Sequence, residues 1–252
     1  MRPILACLMI ACLAAHPSQA QTPIDRGSPQ AAFAGGPIHL STATEARLRA
    51  QYHGDNVPLI PQPFRSRLDT ALVAQDWRQI DVLKKALIQA RDQGPVLLWD
   101  QTRFVETGGV TLAAAFARDL AGSDVPNAEE TAATMWLYAV AASFTDGHRC
   151  ADPATGEAYL DKLRGPDFAA VIGIIRDMPD DRLATARDAA IRLESALSGD
   201  RTGDSVCGTN AGRPAIKPDA GWQADIAPAR AMLPRHLTAI CSVLRQKRKG
   251  VP

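Results

Sequence analysis

Along most of this chain, apolar residues recur at three- and four-residue steps, the spacing of helices that bury one face. Leu68 and Leu72 stand four apart, and Ile80, Leu83 and Leu87 stand at i, i+3 and i+7. The pattern predicts helices over residues 64–92, divided where Asp76 precedes Trp77 as an N-cap. Gly94-Pro95 breaks the chain, with Pro95 suited to the first turn of the next helix, and Gly108-Gly109 breaks it again. Helices follow over 111–120 and 127–144, the second with Ala132, Met135, Trp136 and Ala139 on one face. Asp146 to Cys150 reads as a loop, with Gly147 in the left-handed conformation that caps a helix. Helices are predicted over 157–163 and 166–177, split by Gly165-Pro166, and over 179–197. A Gly/Pro/Asp-rich loop covers 198–221, and a last helix covers 226–249, with Pro234 limiting its regular start. No stretch alternates with the period of a strand. The fold class predicted is all-α, an antiparallel helical bundle or a short irregular array of helical hairpins.

The first 63 residues follow other rules. Residues 1–20 carry Arg2, an apolar run from Ile4 to Ala15, and small residues at Ser18 and Ala20. That is the layout of a secretory signal peptide cleaved before Gln21. The run is shorter than the roughly 20 residues a spanning helix needs. Cys7 and Cys12 lie too early within it for a lipid anchor to be the better reading. Residues 21–63 are predicted to be a flexible segment rich in Pro and Gly. It holds one short helix at 44–52 and a proline-rich connector at 56–63. The expected organisation is a signal peptide at 1–20, a flexible segment at 21–63 and an all-helical domain at 64–252. The expected destination is the periplasm or the exterior, with no integral membrane segment after cleavage.

Removing Arg2 with the leader leaves 27 basic residues against 27 acidic ones. A chain without basic excess is not built for nucleic acid. The basic run at 245–249 suits the carboxyl end of a helix, where cations complement the dipole.

Three cysteines remain after cleavage, Cys150, Cys207 and Cys241, and export permits a disulfide. Helix direction selects the pair. If the helix of 127–144 ends at the top of the bundle, Cys150 lies there. The segment 157–177 then runs down and 179–197 runs up, which returns Cys207 to the top. Cys241 falls about 15 residues into the last helix, roughly 22 Å from its start. The expectation is a Cys150–Cys207 bridge with Cys241 free and buried. A fold-back at Gly165-Pro166 would reverse the parity.

The segment Leu112-Ala-Ala-Ala-Phe116, a turn at 122–126, and Ala132-Ala-Thr-Met-Trp136-Leu-Tyr138-Ala-Val-Ala-Ala142 is similar to one unit of the SEL-like, tetratricopeptide-class repeats. Residues 67–90 resemble a second, degenerate unit. The resemblance, over about residues 67–142, implies stacked helical hairpins and a role in binding other proteins. It implies no catalytic residues. An ordinary bundle accounts for the same alanines.

No nucleophile elbow, zinc-protease motif, phosphate loop or dinucleotide fingerprint occurs. No ligand set for a metal and no cofactor is predicted. The densest cluster of reactive types is Asp146-Gly147-His148-Arg149-Cys150. Asp146 and His148 are the candidates if the protein is an enzyme, with the carboxylate tuning the imidazole. The competing reading makes His148 a helix cap. Trp77, Trp99, Trp136 and Tyr138 are either a ligand groove or core. The leading expectation is a non-enzymatic exported protein that binds a protein partner. The alternative is a small envelope hydrolase with a carboxylate- or His-based site assembled only in three dimensions. A buried carboxylate pair in a cleft would favour the alternative, and a concave surface without one would favour the binder.

Overall fold

The computed structural model describes residues 59–90, 93–125, 128–197, 206–207, 209–210, 213–214, 217 and 219–246. The expected signal peptide and the helix expected at 44–52 lie outside the described residues, as does most of the flexible segment. The chain is all-α. Its helices are α1 (Gln62–Val73), α2 (Trp77–Ala90), α3 (Gly94–Thr107), α4 (Val110–Ala121), α5 (Ala128–Gly147), α6 (Pro153–Leu163), α7 (Ala169–Asp177), α8 (Asp180–Leu197) and α9 (Asp219–Gln246). A 3-10 turn at Pro166–Phe168 precedes α7. Thr209–Asn210 and Arg213–Pro214 form a two-residue antiparallel pair inside the stretch read as loop.

α5 is the axis. It has no polar face, so it cannot lie on a surface. Ala132, Ala133, Ala139, Ala141 and Ala142 are all fully buried, and their small side chains let neighbours approach closely. α4, α6, α7, α8 and α9 all pack on it. Its two large aromatics are anchored by polar ends, as buried Trp and Tyr generally are. Trp136 Nε1 donates to the Leu163 carbonyl at 3.0 Å, and Tyr138 donates to the Gly108 carbonyl at 2.5 Å. Trp99, Trp136 and Tyr138 are therefore core, whereas Trp77 is only partly buried.

Side-chain contacts fix the helix directions. Gly156 near the start of α6 touches Gly147 at the end of α5, and a Cβ on Gly156 would lie 2.8 Å from the Gly147 Cα. Leu163 at the end of α6 has reached Trp136, midway along α5. Arg182 in the first turn of α8 meets Glu130 in the first turn of α5, and Glu194 meets Thr145 near the far end of both. Residues 153–177 therefore run down α5 and α8 runs back up. α9 descends again, from Arg230 on Glu194 to Arg245 on Asp180. The break at Gly165-Pro166 bends the descending segment without reversing it. Cys150 and Cys207 meet at the top and are bridged. Cys241 is free and buried. Burial pushes its thiol above the ordinary value, which leaves it inert as a small hydrophobe.

Three local expectations need correction. α5 runs to Gly147, so Asp146 and Gly147 belong to its last turn rather than to a loop. Among the described residues only Gln75 and Gly108 have positive φ, so Gly147 is not a left-handed cap. Its lack of a side chain serves the contact with Gly156 instead. α6 starts at Pro153, not residue 157: Asp152 caps it by accepting from the Ala154 amide at 3.0 Å, with proline at the first position. Finally, α9 starts at Asp219 and passes through Pro228 and Pro234. Both prolines are on the solvent side, where water can satisfy the carbonyls they leave unbonded. The buried stripe of Ala229, Leu233, Leu237, Ile240, Cys241 and Leu244 continues across them. Burying that stripe offsets the roughly 3 kcal/mol an interior proline costs.

Candidate functional site

α2, α4, α6, the 3-10 turn and the chain at 206–207 enclose a groove of about 590 Å³. Ala114 and Ala115 on α4 are small, so they leave the space that the larger residues around them frame. Trp77 opens α2 on one wall, and Tyr159 and Phe168 stand opposite on α6 and the 3-10 turn. The Tyr159 hydroxyl is held 2.6 Å from Thr111 Oγ1, which fixes the ring across the gap between α6 and α4. Val206 and Cys207 line one end, so the disulfide ties that wall to the top of α5. Arg118, Lys162, Asp81 and Asp167 supply charge at the edges.

Gln75 also lines this groove, at φ 54°. Its amide bonds to Leu72 O and the next amide, of Asp76, bonds to Ala71 O, which is the paired closure of a Schellman turn. That position favours glycine, and a residue with a Cβ there costs about 1 kcal/mol. Asp76 then turns the chain into α2, its Oδ1 accepting from the Gln79 amide at 2.9 Å.

Behind the Arg118 wall lies a buried ion cluster. Lys84 Nζ on α2 donates to both oxygens of Asp100 on α3, at 2.7 and 2.8 Å, and lies 2.5 Å from Asp119 Oδ2 on α4. Arg118 bridges outward, with Nε 3.1 Å from Asp119 Oδ1 and Nη2 2.8 Å from Asp81 Oδ1. Asp100 is fully buried and Lys84 nearly so. Burial, helped by the negative charge of Asp119, pushes Asp100 up to about 7 against the pull of Lys84. Burial also opposes charge on Asp119, but Lys84 and Arg118 outweigh it and hold that carboxyl below its ordinary value. Lys84 is held above its own, because Asp100 and Asp119 more than offset its burial.

A second cluster lies one turn further along α3. Arg103 donates from Nε and Nη2 to Asp69 on α1, at 3.0 and 2.8 Å, and from Nη1 to Glu106 at 2.7 Å. Trp99 Nε1 adds a bond to Asp69 at 2.9 Å, and Arg65 approaches the same carboxylate at 3.8 Å.

The residues singled out in the sequence fall elsewhere. Asp146 is fully buried, with Arg149 Nη1 3.3 Å from its Oδ1. His148 Nδ1 sits 2.9 Å from the Phe144 carbonyl, four residues back, so it caps the end of α5. Its ring meets the edge of Phe144, whose face stacks on His236 at 4.1 Å. A smaller cavity of about 280 Å³ touches His148, Ser143 and Glu157. The Ser143 hydroxyl is turned into its own helix, donating to Ala139 O at 2.6 Å, and is not poised as a nucleophile. Among the described residues no group of His, Cys, Asp and Glu could hold a metal ion.

The Lys84 cluster escaped the sequence reading. Its signal is charge at an apolar register. Lys84 follows Ile80 by four and precedes Leu87 by three, and Asp100 stands midway between Val96 and Phe104. No protein-family model matches this chain, and no curated protein or solved structure matches it either.

Proposed function

We propose that this is an exported, non-enzymatic helical protein that binds another protein through the groove between Trp77, Tyr159 and Phe168. The observation that carries the reading is the groove itself: a concave, aromatic-walled space of about 590 Å³, with a strained Gln75 at its rim. Strain held at a surface hollow is commonly retained for function. Several sequence features support the same reading. These are the signal-peptide layout of residues 1–20, the resemblance of residues 67–142 to protein-binding helical repeats, and a cysteine pair suited to an oxidising compartment. Among the described residues no helix is long and apolar enough to cross a membrane.

The envelope-hydrolase alternative draws on one observation, the carboxylates of Asp100 and Asp119 around Lys84, with Asp100 raised to about 7. A catalytic pair must meet substrate. Asp100 is fully buried, and neither carboxylate lines the described cavities. Photo-crosslinking in intact cells tests the choice. A crosslinking residue at Ala158, exposed beside the groove, should yield a discrete protein adduct, and one at the exposed Val243 on α9 should not. Ala115→Arg, which fills the groove, should abolish the adduct. Equal labelling from both positions, or labelling that survives the filled groove, rejects the groove as the docking site.

A further inference from the structure

The walls of the groove are mostly helix: α2, α4, α6 and the 3-10 turn. Helical backbone spends its N–H and C=O groups internally, so such walls offer few acceptors to a guest chain. A guest that buried its own amide hydrogens there would lose their bonds to water without replacement. Donors, in contrast, stand open on the side where α1 turns into α2. Trp77 lines the groove partly buried, and its indole N–H has no partner among the described residues. Trp99 and Trp136 both have theirs. The Gln75 side-chain amide, on an exposed residue of the same rim, is equally unbonded among the described residues. These groups call for carbonyls. A helical guest has none to give along its length, because its own amides take them. A guest strand needs a sheet edge, and the described strands are a two-residue pair. A chain in the polyproline II conformation has free carbonyls, and its prolines have no amide hydrogens to strand. Charge points the same way. Arg118 and Lys162 at the edges are matched by Asp81 and Asp167, so the groove attracts neither an acidic nor a basic tract.

We propose, on the reading that the groove is a docking site, that it binds an uncharged, proline-rich segment of the partner protein in the polyproline II conformation, with Trp77 Nε1 donating to one of its carbonyls. Trp77 stands on one wall and Tyr159 and Phe168 on the other, and the small Ala114 and Ala115 leave the space between them. Aromatic-lined slots of this kind take proline rings. The bond between Tyr159 and Thr111 sets the Tyr159 ring before any guest arrives. A polyproline guest is also ordered beforehand, so little conformational freedom is lost on docking.

The experiment follows the indole N–H signals of the full mature chain by NMR as decaproline is added, with a leucine- and lysine-rich helical peptide of equal length for comparison. Decaproline should shift the Trp77 signal saturably and leave those of the buried Trp99 and Trp136 in place. Added salt should change its affinity by less than about twofold. Trp77→Phe keeps a ring and loses the donor, and calorimetry should find binding weakened about tenfold. Ala115→Arg should abolish binding, and Ala158→Arg, at an exposed position, does the same duty if the first variant does not fold. An unmoved Trp77 overturns the proposal. The docking role itself then stands if the crosslink from Ala158 still forms, and falls with it if that crosslink is absent. The helical peptide moving Trp77 in place of decaproline overturns the polyproline guest. Full-strength binding by Trp77→Phe overturns the contact with the carbonyl. A Trp77 signal that moves with protein concentration alone assigns the groove to a second copy of this chain and overturns the proposal equally.

Discussion

One turn of α3 separates two buried ion clusters that are built differently. Arg103 meets Asp69 through two nitrogens and Glu106 through a third, with Arg65 nearby, so cations and anions match. Its carboxylates also keep some contact with water, Asp69 at 20 % and Glu106 at 6 % side-chain exposure. The Lys84 cluster joins α2, α3 and α4 around a single ammonium and buries Asp100 fully. The first arrangement can only fix geometry. The second fixes geometry and also has a proton to lose, and of the two only this one reaches the groove, through Arg118 and Asp81.

Substitutions sharpen that contrast. Lys84→Met strands the buried Asp100 and leaves Asp119 to Arg118 alone, and should cost about 3–5 kcal/mol at neutral pH, the range for breaking a buried pair from one side. Urea unfolding measures it, and the loss should shrink toward pH 5 as Asp100 takes up a proton. Arg103→Met leaves Asp69 with Trp99 Nε1 and Arg65 beside it, so about 2–3 kcal/mol is expected. A larger loss from Arg103→Met than from Lys84→Met would erase the distinction.

Asp100→Asn isolates the proton. An aspartate raised from 3.8 to about 7 in the fold binds more protons folded than unfolded across that interval. Its stabilising contribution is present below pH 4 and is lost as pH rises toward 7. The wild type should therefore weaken relative to Asp100→Asn over this range, by an amount on the order of 2 kcal/mol. Parallel stability profiles would contradict the raised value. The smallest effect belongs to the rim of the groove. Gln75→Gly should stabilise the protein by about 0.5–1 kcal/mol, because glycine accepts the left-handed turn without strain. Any loss of stability would show that the Gln75 side chain earns its place by contacts rather than through the backbone.

Much of the scaffold was legible because it rests on local rules. Asp76 as a cap, Pro95 at a helix start and the stripe from Leu233 to Leu244 are each short-range signals, and the structure bears them out. The cysteine pairing was legible from helix directions, since parity along the chain survives errors of a few residues at each helix end. What local rules misjudge is competition. Pro234 argued against a regular start to α9, but the apolar stripe beneath it prevailed. Gly147 carries the mark of a helix stop, yet its use is close contact with Gly156, nine residues away and visible only in three dimensions. The groove and the Lys84 cluster were hidden for the same reason. Lys84, Asp100 and Asp119 come from three helices, and their partnership has no fixed spacing. Only the placing of a charge among apolar neighbours betrays each of them.

The bridge at the top of α5 bears on how the chain would be made. A chain threaded through a membrane emerges amino end first. If the chain is exported and cleaved as proposed, the first two thiols of the mature protein to appear are those of Cys150 and Cys207, in that order. They are the native pair. An oxidising enzyme that joins thiols as they arrive would make the correct bond at its first attempt, before Cys241 has crossed. The third thiol then folds under α9 out of reach. A chain wired this way has little need of disulfide isomerases, and its yield in a host lacking them should be close to its yield in one that has them.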